Sequence, residues 1–285
     1  MTEAAGTPRV SVIVPTRDRP SSLQRCLDAL ERQVGIPDFE VVIVDDGSRR
    51  ADEVARVVAR SPRARVLRQD QSRGPAAARN QGARTARGSI LLFTDDDCEP
   101  APDWASRLAA VIENDAQAAA GVLVNGLPSD RLAAATDTIL GFVQRQATGP
   151  GGTTRFATTN NLACRAELLA AYPFDERFRP AGEDRDWCAR VVAAGHSLIV
   201  EPSAFVLHRQ DLTVRSFWRK HLNYGRASYR FHRLHVRELE SPHFYAGLVR
   251  SGFSGGVANG LLVGVAQLAT AIGFVREALA ERARS

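Results

Sequence analysis

The sequence predicts a mixed α/β fold built on a mostly parallel, doubly wound sheet. Three observations carry that prediction. Strand-like and helix-like segments alternate through the first hundred residues. The strand segments are continuous apolar runs, as expected where both faces of a sheet are covered. Three of them end in polar clusters, Thr16-Arg17-Asp18-Arg19, Asp45-Asp46-Gly47-Ser48 and Asp95-Asp96-Asp97. In a parallel sheet such clusters converge on one edge, beyond the carboxyl ends of the strands, where ligands bind.

Taken in order, Val10 to Val14 is a β-branched run stopped by Pro15. Ser21 and Ser22 offer an N-cap, and Leu23, Cys26, Leu27, Leu30 and Val34 follow at helical spacing. Phe39 to Val44 reads as a second strand, and Val54, Val57 and Val58 as a helix. Arg65 to Leu67 is a short third strand. Pro75 to Arg87 suits a helix, and Ile90 to Phe93 is the fourth strand. Beyond it, Trp104, Leu108, Val111 and Ile112 mark a helix and Ala120 to Val124 a strand. Gly149 to Thr154 reads as a mobile loop. A segment from Ala157 to Cys164, a helix through Trp187, Val191 and Val192, and short strands at Leu198 to Val200 and Ala204 to Leu207 follow.

Composition excludes several classes. With 44% hydrophobic and 24% charged residues in 285, the chain is neither disordered nor low in complexity. Cys26, Cys98, Cys164 and Cys188 lie far apart, with no CxxC pair, so neither a zinc pattern nor a disulfide framework is expected. A reducing, cytoplasmic setting follows, and no signal-peptide pattern opens the chain. The net charge of +5 is uneven: between His208 and Arg250 nine Lys/Arg face three Asp/Glu.

The acidic clusters carry the chemistry. Asp95 and Asp97, two residues apart after a buried strand, suit a hard divalent ion such as Mg²⁺ or Mn²⁺ shared with phosphates. A solvated turn is the plain alternative. Asp45 and Asp46 suit ribose or base hydrogen bonds, or a turn followed by a helix cap. The absence of GxGxxG after the early strands argues against a dinucleotide fold.

Six stretches together resemble family 2 glycosyltransferases, which are inverting enzymes of the GT-A fold. They are VSVIVPTRDRPSSLQRCLDAL, FEVVIVDDGS, GPAAARNQGARTARGSILLFTDDDCEPAPDW, TTNNLACRAELL, FDERFRPAGEDRDWCARVVAAGH and AFVLHR. The resemblance implies a Rossmann-like αβα sandwich as the catalytic domain, residues 1–209, with a nucleotide half at about 8–100 and an acceptor half at about 101–209. It implies nucleotide-sugar contacts at Pro15, Thr16, Asp18, Asp45, Asp46, Arg79, Asp95 and Asp96. Asp95, Asp97 and His208 would hold the metal. Glu183 and Asp184 match the motif whose aspartate is the catalytic base. Asn160, Asn161 and Trp187 fall to the acceptor, with core roles as the alternative. The donor expected is a nucleoside diphosphate sugar, a UDP-sugar first and a GDP- or dTDP-sugar next. The acceptor carries a hydroxyl, on a glycan, a lipid-linked molecule or a natural product.

The last third, residues 210–285, departs from the processive polysaccharide synthases. Their Q-x-x-R-W motif is replaced by Arg215-Ser216-Phe217-Trp218-Arg219-Lys220, which favours single additions. Phe217 to Phe231 mixes aromatics with five basic side chains, His221 included, and suits an anionic membrane surface better than nucleic acid, for which no motif is present. Phe253 to Val275, 23 residues without a charge, is long enough for a span, an interfacial helix, a packed helix or a homo-oligomer contact. Two rivals remain open at this stage: a non-catalytic sugar-nucleotide-binding protein assembling at the membrane, and a nucleotidyltransferase.

Overall fold

The computed structural model describes residues 8–235 and 240–283. The first half alternates as the patterning requires: β1 (Val10–Thr16), α1 (Pro20–Glu31), β2 (Phe39–Asp45), α2 (Ala51–Val58), β3 (Ala64–Arg68), α3 (Pro75–Thr85) and β4 (Ile90–Thr94). A short β5 (Cys98–Pro100), α4 (Trp104–Glu113), β6 (Ala118–Asn125) and α5 (Arg131–Ala147) follow. Next come β7 (Asn161–Arg165), α6 (Ala166–Ala171), α7 (Glu183–Ala193) and β8 (Leu198–His208). Three helices, α8 (Val214–Leu234), α9 (Pro242–Ser254) and α10 (Val257–Arg282), finish the chain.

One sheet of eight strands runs β3-β2-β1-β4-β7-β6-β8-β5. β3, β2, β1 and β4 are mutually parallel, whereas β7 and β5 run against their neighbours. β1 shows why its residues are apolar on both sides. Val10, Val12 and Val14 meet Leu23, Leu27 and Leu30 of α1, and Ile13 points to the other face, among residues of α3 and α7. Each such side chain contributes about 1.5–3 kcal/mol on burial. The strand continues through Pro15 because β4 pairs only with Val10 to Ile13; the missing N–H costs no ladder bond there.

Several boundaries differ from the sequence reading. Helix α1 begins at Pro20, at the first helical position, with Arg19 and not a serine as N-cap. The two short strands near Leu198 and Ala204 are one strand, β8, which follows β6 across a bulge near Ala120 and Val122. The Gly149–Thr154 loop is tied down by bridges from Thr148 to Thr154 and from Thr153 to Ile199. Phe253 to Val275 is not one helix: α9 ends at Ser254, and Gly256 turns the chain with φ +101° before α10. α10 then lies so close to α8 that a Cβ on Gly225 would run into Thr270 O, and one on Gly273 into Leu222 O. A separate apolar cluster, with Ala135, Phe142, Phe217, Leu248 and Val263, holds α5, α8, α9 and α10 together.

Candidate active site

A cleft of about 1450 Å³ opens at the carboxyl edge of β4 and is walled on its far side by α5, α8, α9 and α10. Asp95 and Asp97 line it. They lie on a turn after β4, and Asp96 between them is fully buried. Asp96 Oδ2 accepts a hydrogen bond from Thr16 Oγ1 at 2.7 Å, and Asp96 Oδ1 is 2.6 Å from Arg19 Nη2. Arg19 Nη1 donates to Asp97 Oδ2 at 2.8 Å. Burial pushes Asp96 up to about 7, against the pull of Arg19. Asp97 is also desolvated, but Arg19, His208 and Lys220 together hold it below the usual carboxylate range.

The second acidic pair sits at the start of α7. Gly182 is the N-cap with φ +99°, a conformation that side chains resist, and a Cβ there would press on Ala227 of α8 at 2.8 Å. That turn places Glu183 and Asp184 in the first helical turn, where the helix dipole favours carboxylates. Burial pushes Glu183 to about 7, with Arg79 opposing. Burial likewise raises Asp184, whose Oδ1 accepts from the Arg185 N–H at 2.7 Å.

Arg79, from α3, joins the two walls. It is buried, donating through Nη1 to Glu183 Oε1 at 2.7 Å and through Nη2 to Asp95 Oδ1 at 2.5 Å. Both arms of the guanidinium are thus spent on carboxylates.

His208, at the end of β8, brings Nε2 to 3.8 Å from Asp97 Oδ1. Its Nδ1 lies 2.9 Å from Gln210 Nε2 and 3.1 Å from Asp137 Oδ1 of α5, so the ring is held between an amide and a carboxylate while Nε2 faces Asp97. A free carboxylate oxygen beside an imidazole is a donor set that fits Mn²⁺ better than Mg²⁺, which prefers oxygen ligands. Cys98 lies within the same cluster, but burial pushes its thiol far up, which leaves it a poor ligand beside the oxygens.

The remaining sequence-predicted residues divide sharply. Asn160, Glu183, Asp184, Arg79 and His208 line the cleft, and Asn161 and Trp187 do not. Asn161 Oδ1 accepts from Trp104 Nε1, and its Nδ2 donates to Val122 O and Ala204 O. Trp187 is fully buried, donates to Tyr172 O and packs beside Phe174. Both are therefore withdrawn from the acceptor: their polar atoms are consumed inside the core. Asp46 accepts from the N–H groups of Arg73 and Gly74 and from Ser72 Oγ, fixing the loop before α3. Asp45 accepts from Ser48 N and from Arg68 Nη1. Asp18, at φ +56°, accepts from Arg49 N. These three, with Pro15 and Thr16, gather at the ends of β1 and β2 outside the cleft wall.

The model of glycosyl transferase family 2 matches residues 11–175, more than half of the chain. The chain belongs to that family. This family 2 chain is 29% identical over 222 residues to the pre-mycofactocin glycosyltransferase of Mycobacterium tuberculosis, covering 76% of this chain and 46% of that one. It is 32% identical over 201 residues to glycosyltransferase AglE of Haloferax volcanii, covering 67% and 64%. The chain thus spans about half to two thirds of the length of these relatives. Among solved structures, a mannosyltransferase, PcManGT, from Pyrobaculum calidifontis in complex with GDP-Man and Mn²⁺ superposes with a TM-score of 0.62 at 22% identity, covering 92% of this chain and 74% of that one. S. aureus TarS 1–349 superposes at 0.57 and 19% identity, covering 89% and 74%. These two likenesses establish the GT-A fold.

Sequence reasoning missed Arg19, Asp137, Gln210 and the cleft-side role of α8. The helix containing Asp137 had a signal: Asp130 as N-cap, then Leu132, Ala135, Ile139 and Phe142 at helical spacing. The partner choices of Arg19 and His208 have no local signal, because they join distant segments.

Proposed function

We propose that this chain transfers one sugar from a nucleoside diphosphate donor to an acceptor hydroxyl, inverting the anomeric centre. The observation that carries the reading is the convergence of two carboxylate pairs on one cleft, from the turn after β4 and from the start of α7, linked by Arg79. An in-line displacement needs two such groups: a base on the acceptor side and charge compensation on the leaving-group side.

In this reading the base or ribose lies against the ends of β1 and β2, near Asp18 and Asp45. Asp97, Asp95 and His208 are the candidate holders of a divalent metal, which would supply positive charge to the diphosphate. Asp95 enters that set only by loosening its pair with Arg79. Asp184 takes the acceptor proton as the new glycosidic bond forms, and Glu183 with Arg79 positions the start of α7. Asn160 stands at the cleft to orient a sugar hydroxyl. A UDP-sugar is the first donor to test. GDP-sugars rank beside it because the structurally similar mannosyltransferase was captured with GDP-Man and Mn²⁺.

We also infer that α10 rests on a membrane surface rather than crossing it. Its outward face, with Leu261, Val265, Leu268, Val275 and Leu279, is exposed, whereas its other face packs on α8 and carries buried Glu277. An exposed apolar stripe of that length supports contact with lipid. This reading agrees with a cytoplasmic protein at the cytoplasmic face of the membrane, and contact between two copies is the competing explanation.

The test is thermal shift with UDP-, GDP- and dTDP-sugars, with and without Mn²⁺ or Mg²⁺, followed by turnover assays. A metal-dependent rise in melting temperature for one nucleotide class, with free nucleoside diphosphate released, is expected. Binding without turnover for any acceptor would favour a non-catalytic sugar-nucleotide-binding protein. Pyrophosphate release from a nucleoside triphosphate would favour a nucleotidyltransferase.

A further inference from the structure

Lys220 is the single lysine of the chain, and it stands on the cleft wall near the Asp97 turn. Its ammonium donates to Gln210 Oε1. Gln210 Nε2 donates in turn to Asp137 Oδ1 at 3.1 Å, the same oxygen that faces His208 Nδ1. A continuous polar chain thus runs from Lys220 through Gln210 and Asp137 to His208 and Asp97.

The other cations of the cleft are already committed or exposed. Arg19 pairs with Asp96 and Asp97, Arg79 with Asp95 and Glu183, Arg185 with Glu240, and Arg209 with Glu99. Arg155 and Arg219 are exposed. Lys220 is half-buried, and among the described residues no carboxylate lies within ion-pairing distance of it. Asp97 and Asp95 from the turn after β4 and Asp137 from α5 act on it from a distance and favour its charge; Arg19 opposes. Burial lowers its basicity overall. An ammonium carries three donors, and Gln210 uses one. A half-buried cation on a cleft wall, held by a neutral amide and not by a carboxylate, is arranged to receive an anion.

We propose that Lys220 binds the diphosphate of the nucleotide donor, which makes α8 part of the donor site. The inference rests on the nucleoside diphosphate reading above and deepens it. Its link through Gln210 and Asp137 to His208 and the Asp97 turn, the candidate metal end of the site, selects the donor diphosphate over an anionic acceptor. When the bond to the anomeric carbon breaks, its electron pair stays on the diphosphate oxygen. The Lys220 N–H groups then hydrogen-bond that growing charge, with no proton transfer required.

The experiment is isothermal titration of the full chain in Mn²⁺ with the pairs UDP and UMP, GDP and GMP, and dTDP and dTMP. For the diphosphate that wild type binds most tightly, Lys220→Met should weaken affinity about 10- to 100-fold, the worth of one charge-assisted hydrogen bond. The matching monophosphate should change by less than about threefold. Lys220→Arg should recover most of the loss. Unchanged diphosphate affinity in Lys220→Met, or equal weakening of both nucleotides, overturns the assignment. Wild type that binds none of the six nucleotides overturns the donor reading itself, which is a separate outcome. A second measurement needs no variant. Because the chain has one lysine, reductive methylation read by peptide mass spectrometry reports Lys220 directly, apart from the terminal amine. The bound diphosphate should slow that modification, and an unchanged rate overturns the proposal.

Discussion

Arg79 and Glu183 are 104 positions apart in sequence, and their side chains meet at 2.7 Å. The other arm of the same guanidinium holds Asp95 at 2.5 Å. One cation of α3 therefore fixes the distance between the turn after β4 and the start of α7, the two segments a donor sugar would lie between. The three charges are largely withdrawn from water, which makes the pairing costly to break. Arg79→Ala leaves Glu183 and Asp95 facing each other without a counter-ion. The expected loss is about 3–5 kcal/mol of folding stability in urea denaturation. Arg79→Lys should lose less stability but still disturb the spacing, because one ammonium cannot reach both carboxylates with the geometry of a guanidinium. A stability loss below about 1 kcal/mol for Arg79→Ala would contradict the network.

Asp184 gives a prediction in pH. Its carboxyl is pushed above the ordinary aspartate value of 3.8 by burial. A general base acts only when ionised, so kcat/KM should rise with pH through that raised pKa and the acid limb should lie above 3.8. Asp184→Asn should lower kcat by about 10²–10⁴-fold with little change in donor affinity. Loss of donor binding with kcat unchanged would assign Asp184 to the wrong side of the reaction.

Metal binding should depend on residues outside the aspartate turn. Asp97→Asn should abolish Mn²⁺ binding followed by isothermal titration or by the electron paramagnetic resonance of the free ion. Asp137 makes no such contact itself, but with Gln210 it holds His208 Nδ1, at 3.1 and 2.9 Å. Asp137→Asn should weaken Mn²⁺ about 10- to 100-fold, the usual effect of releasing a ligating imidazole from its carboxylate. Equal Mn²⁺ affinity in His208→Ala and wild type would remove His208 from the ligand set.

The parallel half of the fold was legible because its physics is local. A strand covered on both faces is a continuous apolar run, and its functional edge is a sudden polar cluster, as at Val44-Asp45 and Thr94-Asp95. The site was legible as a set of motifs but not as a set of pairings. The resemblance put Arg79 beside a diphosphate, yet its guanidinium is held by two carboxylates from distant segments. Trp187 and Asn161 carry sugar-binding chemistry in their side chains, but burial decides their role and no spacing rule reports it. The same holds for α8, whose basic and aromatic residues suggested a membrane surface. One face of it walls the cleft, through Lys220 and Tyr224.

Glu277 ties the last helix to the catalytic edge. It is buried on α10 and accepts from Arg226 at 2.7 Å and from Arg230 at 2.8 Å. Arg230 also donates to the carbonyls of Arg177 and Arg179, just before Gly182. The two arginines hold the Glu277 carboxyl below its ordinary value of 4.5. A lowered folded pKa means stability that is present above 4.5 and lost as pH falls through the folded value. Glu277→Gln should therefore destabilise the protein by about 1–3 kcal/mol at pH 7, with the gap to wild type closing in acid. A gap that stays constant down to pH 3 would mean that packing, not charge, carries the effect.

The outward face of α10 sets the membrane reading against the oligomer reading. Leu261 and Leu268 are 61% and 56% exposed, and the stretch from Phe253 to Val275 between Arg250 and Arg276 has no charge. Such a face lowers its free energy by entering a lipid interface, and flanking arginines add attraction to anionic headgroups of about 1 kcal/mol each. The protein should float with phosphatidylglycerol-containing vesicles, and less with pure phosphatidylcholine. The double change Leu261→Ser and Leu268→Ser should release it without lowering the melting temperature, because neither side chain is part of the packed core. If wild type instead ignores both vesicle types and sediments as a dimer that the double change dissociates, the face is a contact between copies. Equal flotation of wild type and variant would place lipid contact elsewhere, on the basic surface of α8.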